Sequence, residues 1–153
     1  MGILRQLLVG TFLALAGAIP AAAQDLTGAV WSVCGYDGQY TWHETRLVFE
    51  TQSPGSPGWA VSGYFDWRSS GGHTGRERFN GTLSPSGALS LLGHSLEGET
   101  SIVTSRYLAD VSHDGQTIVR GVWLDGVPGV WAAVRDGGAG TAQGLCEAEA
   151  QLS

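Results

Sequence analysis

Trp59-Ala60-Val61-Ser62-Gly63-Tyr64-Phe65-Asp66-Trp67 decides the fold. Trp59, Val61, Phe65 and Trp67 fall on one face, with Gly63 among them, and Ala60, Ser62, Tyr64 and Asp66 take the other. That is a period of two, the signature of a strand with one buried face. At its centre lies an apolar-x-Gly-x-apolar unit, Val61 to Phe65. The unit recurs as Phe79-Asn80-Gly81-Thr82-Leu83 and as Val119-Arg120-Gly121-Val122-Trp123. Glycine inside a strand marks a bend or a close backbone approach. Repeated on the inward face, it lets strands coil tightly past one another, as a small closed barrel requires.

Working outward, Gly and Pro divide the chain at 35–38, 53–58, 69–75, 84–87, 97–99, 113–115 and 125–129. Each cluster carries turn chemistry. Between the breaks lie eight runs rich in Val, Thr, Trp, Tyr and Phe, near 27–33, 40–50, 59–68, 76–83, 88–94, 101–112, 116–124 and 129–135. In the fourth, Phe79, Gly81 and Leu83 oppose Arg78, Asn80 and Thr82. The sixth sets Val103, Ser105, Tyr107, Ala109 and Val111 on one face, and the seventh aligns Val119, Gly121 and Trp123. In the second, Leu47 and Phe49 share a face with Thr45 and His43. Short turns between successive runs favour an antiparallel up-and-down β-barrel of about eight strands, whose closure removes exposed edges. Gly75-Arg76-Glu77-Arg78 reads as a solvated strand end, and residues 141–152 as one short turn of helix.

Residues 1–23 read as an address. Arg5 precedes an apolar run from Leu7 to Ile19, then Pro20 and Ala21-Ala22-Ala23. This is the pattern of a cleaved secretory signal, with an apolar run shorter than the roughly 20 residues that span a bilayer. The expected organisation is a signal peptide over 1–23, a barrel domain over 24–139 and a C-terminal tail over 140–153. The expected location is secreted or periplasmic. An oxidising compartment favours a disulfide between Cys34 and Cys146. That bond would tie down the tail and close a loop on the order of 100 residues, worth roughly 4 to 5 kcal/mol in the chain-entropy account.

Composition excludes some partners. The chain has 8 Lys plus Arg against 14 Asp plus Glu, a formal charge of −6. All eight cations are Arg. A nucleic-acid binder would need a basic stripe. The four His are scattered, with no His-x-His or HExxH spacing, so no metal site and no cofactor are expected. Ser70-Gly71-Gly72-His73 and Ser112-His113-Asp114 hold triad residue types. Adjacency in sequence is not triad geometry, and the expectation is a protein that is not an enzyme.

Asp25-Leu26-Thr27-Gly28-Ala29-Val30-Trp31 resembles the opening strand of avidin-like and lipocalin-like secreted barrels, where a Gly shortly precedes a Trp at the barrel floor. Val61-Ser62-Gly63-Tyr64 and Gly129-Val130-Trp131 are similar to later strands of those groups. The resemblance implies an eight-stranded barrel with an interior cavity. It does not extend to biotin: one extra residue separates Gly28 from Trp31, and no Asn follows that Trp.

Six Trp in such a chain fill a core or line a cavity. The candidate ligand-binding residues are Trp31, Trp59, Phe65, Trp67, Trp123 and Trp131, with Ser105 and Tyr107 as polar contacts on the same interior. The functional expectation is a non-catalytic barrel holding a small, mostly apolar ligand. Two alternatives stand beside it. One is a protein-binding module, such as an inhibitor of an exported hydrolase, using the loops 51–58 and 69–75. The other is an eight-stranded outer-membrane barrel, disfavoured because Asp66, Arg78, Arg106 and Asp110 fall on the outer faces.

Overall fold

The computed structural model describes residues 24–138 and 140–150; the expected signal segment 1–23 lies outside the described residues. Eight strands follow one another: β1 (Val30–Tyr36), β2 (Thr41–Pro54), β3 (Trp59–Arg68), β4 (Thr74–Leu83), β5 (Ala88–Glu97), β6 (Arg106–Val111), β7 (Thr117–Trp123) and β8 (Gly129–Arg135). Each pairs antiparallel with the next, and β8 pairs with β1 to close the barrel. A helix, α1 (Ala142–Ala150), follows.

The alternation in β3 is realised as read. Val61, Gly63, Phe65 and Trp67 are buried and alternate with more exposed positions. A Cβ at Gly63 would fall onto the Val48 carbonyl of β2, so only glycine permits that approach. One continuous core fills the interior, with Trp31, Phe49, Phe65, Phe79 and Trp131 essentially sealed from solvent.

The two ends differ. Hairpins alternate between them, so the turns after β1, β3, β5 and β7 gather at one end, the mouth. The other end is closed by the segment before β1. Leu26 is fully buried there, and its carbonyl accepts a hydrogen bond from the Trp31 indole at 3.3 Å. Its N–H donates to the Gln52 side chain at 2.9 Å. Arg135 donates to the carbonyls of Asp25 and Thr27, each at 3.0 Å, with its guanidinium 5.5 Å from the Trp31 ring centre.

Outside the barrel, α1 lies against β1 and β8. Cys34, Ala132, Val134 and Ala142 form a second apolar cluster with Leu145. Cys34 and Cys146 are disulfide-bonded, 112 positions apart, so the expected staple is present. It joins the first strand to the last helix.

Several local expectations are corrected. The first strand begins at Val30 rather than 27, because residues 25–29 turn into the floor, with Gly28 at φ 71°. Glu44 sits at φ 54°, and this irregularity in β2 breaks the alternation. Thr45 points inward as expected, but His43 is exposed and Trp42 takes the inner side. A similar irregularity at Arg120, φ 52°, puts Ile118 inside in place of Val119. β2 continues through Pro54, and α1 is longer than one turn. The sixth strand starts at Arg106, not 101. Val103 is 62% exposed on the β5–β6 loop, which detours over the mouth.

Candidate functional site

The mouth holds a cavity of about 300 Å³. Its walls include Trp67 from the end of β3, Tyr107 from β6 and Trp123 from the end of β7, with Trp42 from the start of β2. These positions follow from the barrel. Each is the inward residue nearest the open end of its strand, so its ring tops the core and borders the opening. Trp42, Trp67 and Trp123 meet almost at right angles. Their ring centres are 5.5 Å apart for Trp42–Trp67, 6.4 Å for Trp42–Trp123 and 5.7 Å for Trp67–Trp123, at interplanar angles of 83°, 80° and 67°. Ile102 closes one side and is packed against the core.

Of the eight expected ligand residues, Trp67, Ser105, Tyr107 and Trp123 line this cavity. The other four do not reach it. Phe65 stacks beneath Trp67 at 4.8 Å, and Trp131 packs edge-on below Phe65 and Tyr107. Trp31 is at the closed end. Trp59, half-buried, borders a separate, more open pocket at the floor end with Thr51 and Gln52. The reason is strand rise. Two residues on one face of β3 as far apart as Trp59 and Trp67 are separated by roughly 26 Å along the strand. A shared face therefore does not imply a shared depth.

Under the cavity lies a group that the charge-cluster reading misplaced. Glu77 is not at a solvated strand end; it is 0% exposed. Its Oε1 accepts from the Ser105 backbone N–H at 2.7 Å, and Oε2 accepts from the Trp67 indole at 3.1 Å and from the Tyr107 hydroxyl. Burial pushes the Glu77 carboxyl above its usual range, and the hydrogen bonds from Tyr107, Ser105 and Trp67 only partly offset it. Tyr107 is pushed well up, by burial first and then by the neighbouring carboxyl. Gly93 makes room for this arrangement, since a Cβ there would collide with Oε1 of Glu77. The sequence held the signal. Phe79, Gly81 and Leu83 point inward, and stepping back by two from Phe79 puts Glu77 inside.

This carboxyl also explains the late start of β6. The Ser105 amide is given to Glu77, while the Ser105 carbonyl accepts from Gly93 N–H at 2.8 Å. The Ser105 hydroxyl accepts from the Asp125 N–H at 3.0 Å, tying the β7–β8 turn to the rim. Ser105 is thus a structural tie as much as a lining residue.

At the rim, Asp37 caps its own turn. Oδ1 accepts from the N–H groups of Gln39 at 2.9 Å and Tyr40 at 2.7 Å, and Oδ2 accepts from the Trp42 indole at 2.9 Å. Partial burial works against its charge, but the hydrogen bonds from Tyr40, Trp42 and Gln39 outweigh it and hold the carboxyl below the usual range. Asp125 forms a two-pronged pair with Arg106, at 3.0 and 3.3 Å. Tyr40 and His73 complete the far side, edge to face at 4.9 Å. Trp42, Glu77, Tyr40 and Ile102 were not among the expected site residues. Among the described residues no group of three or more His, Cys, Asp or Glu is placed to hold a metal ion.

No family model, curated protein or solved structure matches the chain.

Proposed function

We propose that this protein is an exported, non-catalytic barrel that takes a small, mostly apolar ligand into its open mouth. The observation that carries the reading is a one-ended cavity with aromatic walls. Its volume, about 300 Å³, meets the lower end of the range of roughly 300 to 1,000 Å³ typical of small-molecule sites. The disulfide is consistent with an oxidising compartment, and the resemblance to avidin-like and lipocalin-like barrels points to the same use of the interior. The outer wall carries Arg76 on Asp66, Arg78 between Glu50 and Glu97, and Arg120 on Asp110. Such a face suits water better than hydrocarbon.

The test is a titration with small apolar molecules, read by Trp fluorescence and by thermal unfolding. Trp42, Trp67 and Trp123 border the cavity, so binding quenches emission saturably and raises the melting temperature. A native mass spectrum from the protein's own host should also show a retained ligand. No quenching, no stabilisation and no retained mass would overturn the reading. A second reading, a module that seats one end on an exported hydrolase, keeps the loop 69–75 at the mouth, beside Val103 and Val127, which are 62% and 53% exposed; the stretch 51–58 lies at the opposite end and is strand through Pro54. This reading predicts co-elution with a protein partner and no response to small molecules.

A further inference from the structure

Four rings in the walls of the mouth have their polar edges turned away from the cavity. The Trp42 indole donates to Asp37, the Trp67 indole to Glu77, the Trp123 indole to the Val127 carbonyl at 2.6 Å, and the Tyr107 hydroxyl to Glu77. These four donors are thereby used inside the wall, and what the four rings leave to an occupant is carbon surface; Tyr40 and His73 border the cavity on its far side. Trp42, Trp67 and Trp123 are also close to mutually perpendicular. The three rings come from the mouth ends of β2, β3 and β7, so an occupant meets indole carbon on three sides.

The fixed charges on the lining have one sign. Asp37 and Asp125 border the cavity, and among the described residues no Arg lines it. Asp125 is matched by Arg106, but the partners of Asp37 are two backbone N–H groups and one indole, all neutral. Its charge remains for an occupant.

From this juxtaposition we infer that the ligand is a cation on an apolar body, of the quaternary-ammonium or protonated-amine class. The inference rests on the proposed ligand-binding role and names the chemistry of that ligand. Ring faces attract a cation placed within about 6 Å of their centres, and a lone rim carboxylate supplies the matching charge.

The experiment uses three probes of nearly one shape on the intact, disulfide-bonded protein at pH 8 and low salt. They are benzyltrimethylammonium, its uncharged carbon isostere neopentylbenzene, and the anionic benzylsulfonate, each titrated against Trp fluorescence. The cation should bind at least about tenfold more tightly than the isostere, the ratio expected from a desolvated ring–cation contact. The sulfonate should bind most weakly. Asp37→Asn should weaken the cation several-fold more than it weakens the isostere. Raising salt should act only on the cation. Because Asp37→Asn disturbs a turn, the three-probe comparison on the unaltered chain decides if the variant folds poorly. Equal or tighter binding of the isostere or the sulfonate would overturn this inference and leave a ligand-binding barrel standing. Failure of all three to bind would overturn both.

Discussion

Replacing Glu77 by Gln removes a titrating proton while keeping the side-chain shape. Three donors converge on this buried carboxyl: the Ser105 N–H, the Trp67 indole and the Tyr107 hydroxyl. In the variant, the amide oxygen can still accept from Ser105, and the Tyr107 hydroxyl can rotate to accept from the new NH₂. The indole is a donor only, so Trp67 is left facing another donor. One unsatisfied buried group costs about 1 to 3 kcal/mol, the expected destabilisation in acid. The pH dependence then separates the two proteins. Burial raises the carboxyl of Glu77 in the folded state. The unfolded chain therefore releases its proton first, from about pH 4.3, and the native protein loses stability with rising pH until its own elevated pKa is passed. The slope across that window is about 1.4 kcal/mol per pH unit. The variant has no such loss, so the gap between the two narrows as pH rises. Asp25, Asp37, Asp114 and Asp125 are held below their usual range and stabilise in the opposite sense. They are common to both proteins and cancel in the difference. Urea unfolding followed by Trp emission from pH 4 to pH 8 measures that difference. A gap that stays constant or widens with pH would refute the claim that burial governs this carboxyl.

Three further perturbations test neighbouring features. Gly93→Ala drives a methyl into Oε1 of Glu77 and should cost about 1 to 3 kcal/mol by overpacking; urea midpoints equal to the parent would contradict the tight fit. Replacing Cys34 and Cys146 together by Ser should cost roughly 4 to 5 kcal/mol if the loop-closure account holds. Hydrogen exchange should rise first in α1, and unchanged protection there would mean that packing alone holds the helix. Trp42→Phe withdraws one of three donors from Asp37 and should raise the pKa of that carboxyl toward the ordinary value, read by carbon NMR of the side chain. An unmoved midpoint would show that the turn amides alone set it.

The barrel was legible because its signal is repetitive. A period of two in Val61 to Trp67, glycine at the same phase in three strands, and turn chemistry between runs all point one way, so local errors average out. Two departures share a physical cause. Glu44 and Arg120 adopt positive φ without being Gly or Asn, so nothing in composition marks those irregularities. Each one shifts the inward phase, exposing His43 and admitting Trp42 in one case, and substituting Ile118 for Val119 in the other. Glu77 differs: its flanking arginines suggest solvent, while the alternation that continues through Phe79 places it inside. The cavity was legible only as an aromatic interior. Which rings border it depends on depth along the barrel axis, and a face pattern carries no information about depth.

The disulfide and the β1–β8 seam together make the barrel nearly a ring, its first strand clasped through Cys34 and Cys146 to the helix that follows its last. A protease that nicks the exposed loop around Glu99 would therefore leave two pieces still covalently joined, migrating as one species until a reductant is added. The rim could thus be opened, trimmed or re-spliced while the staves stay hooped.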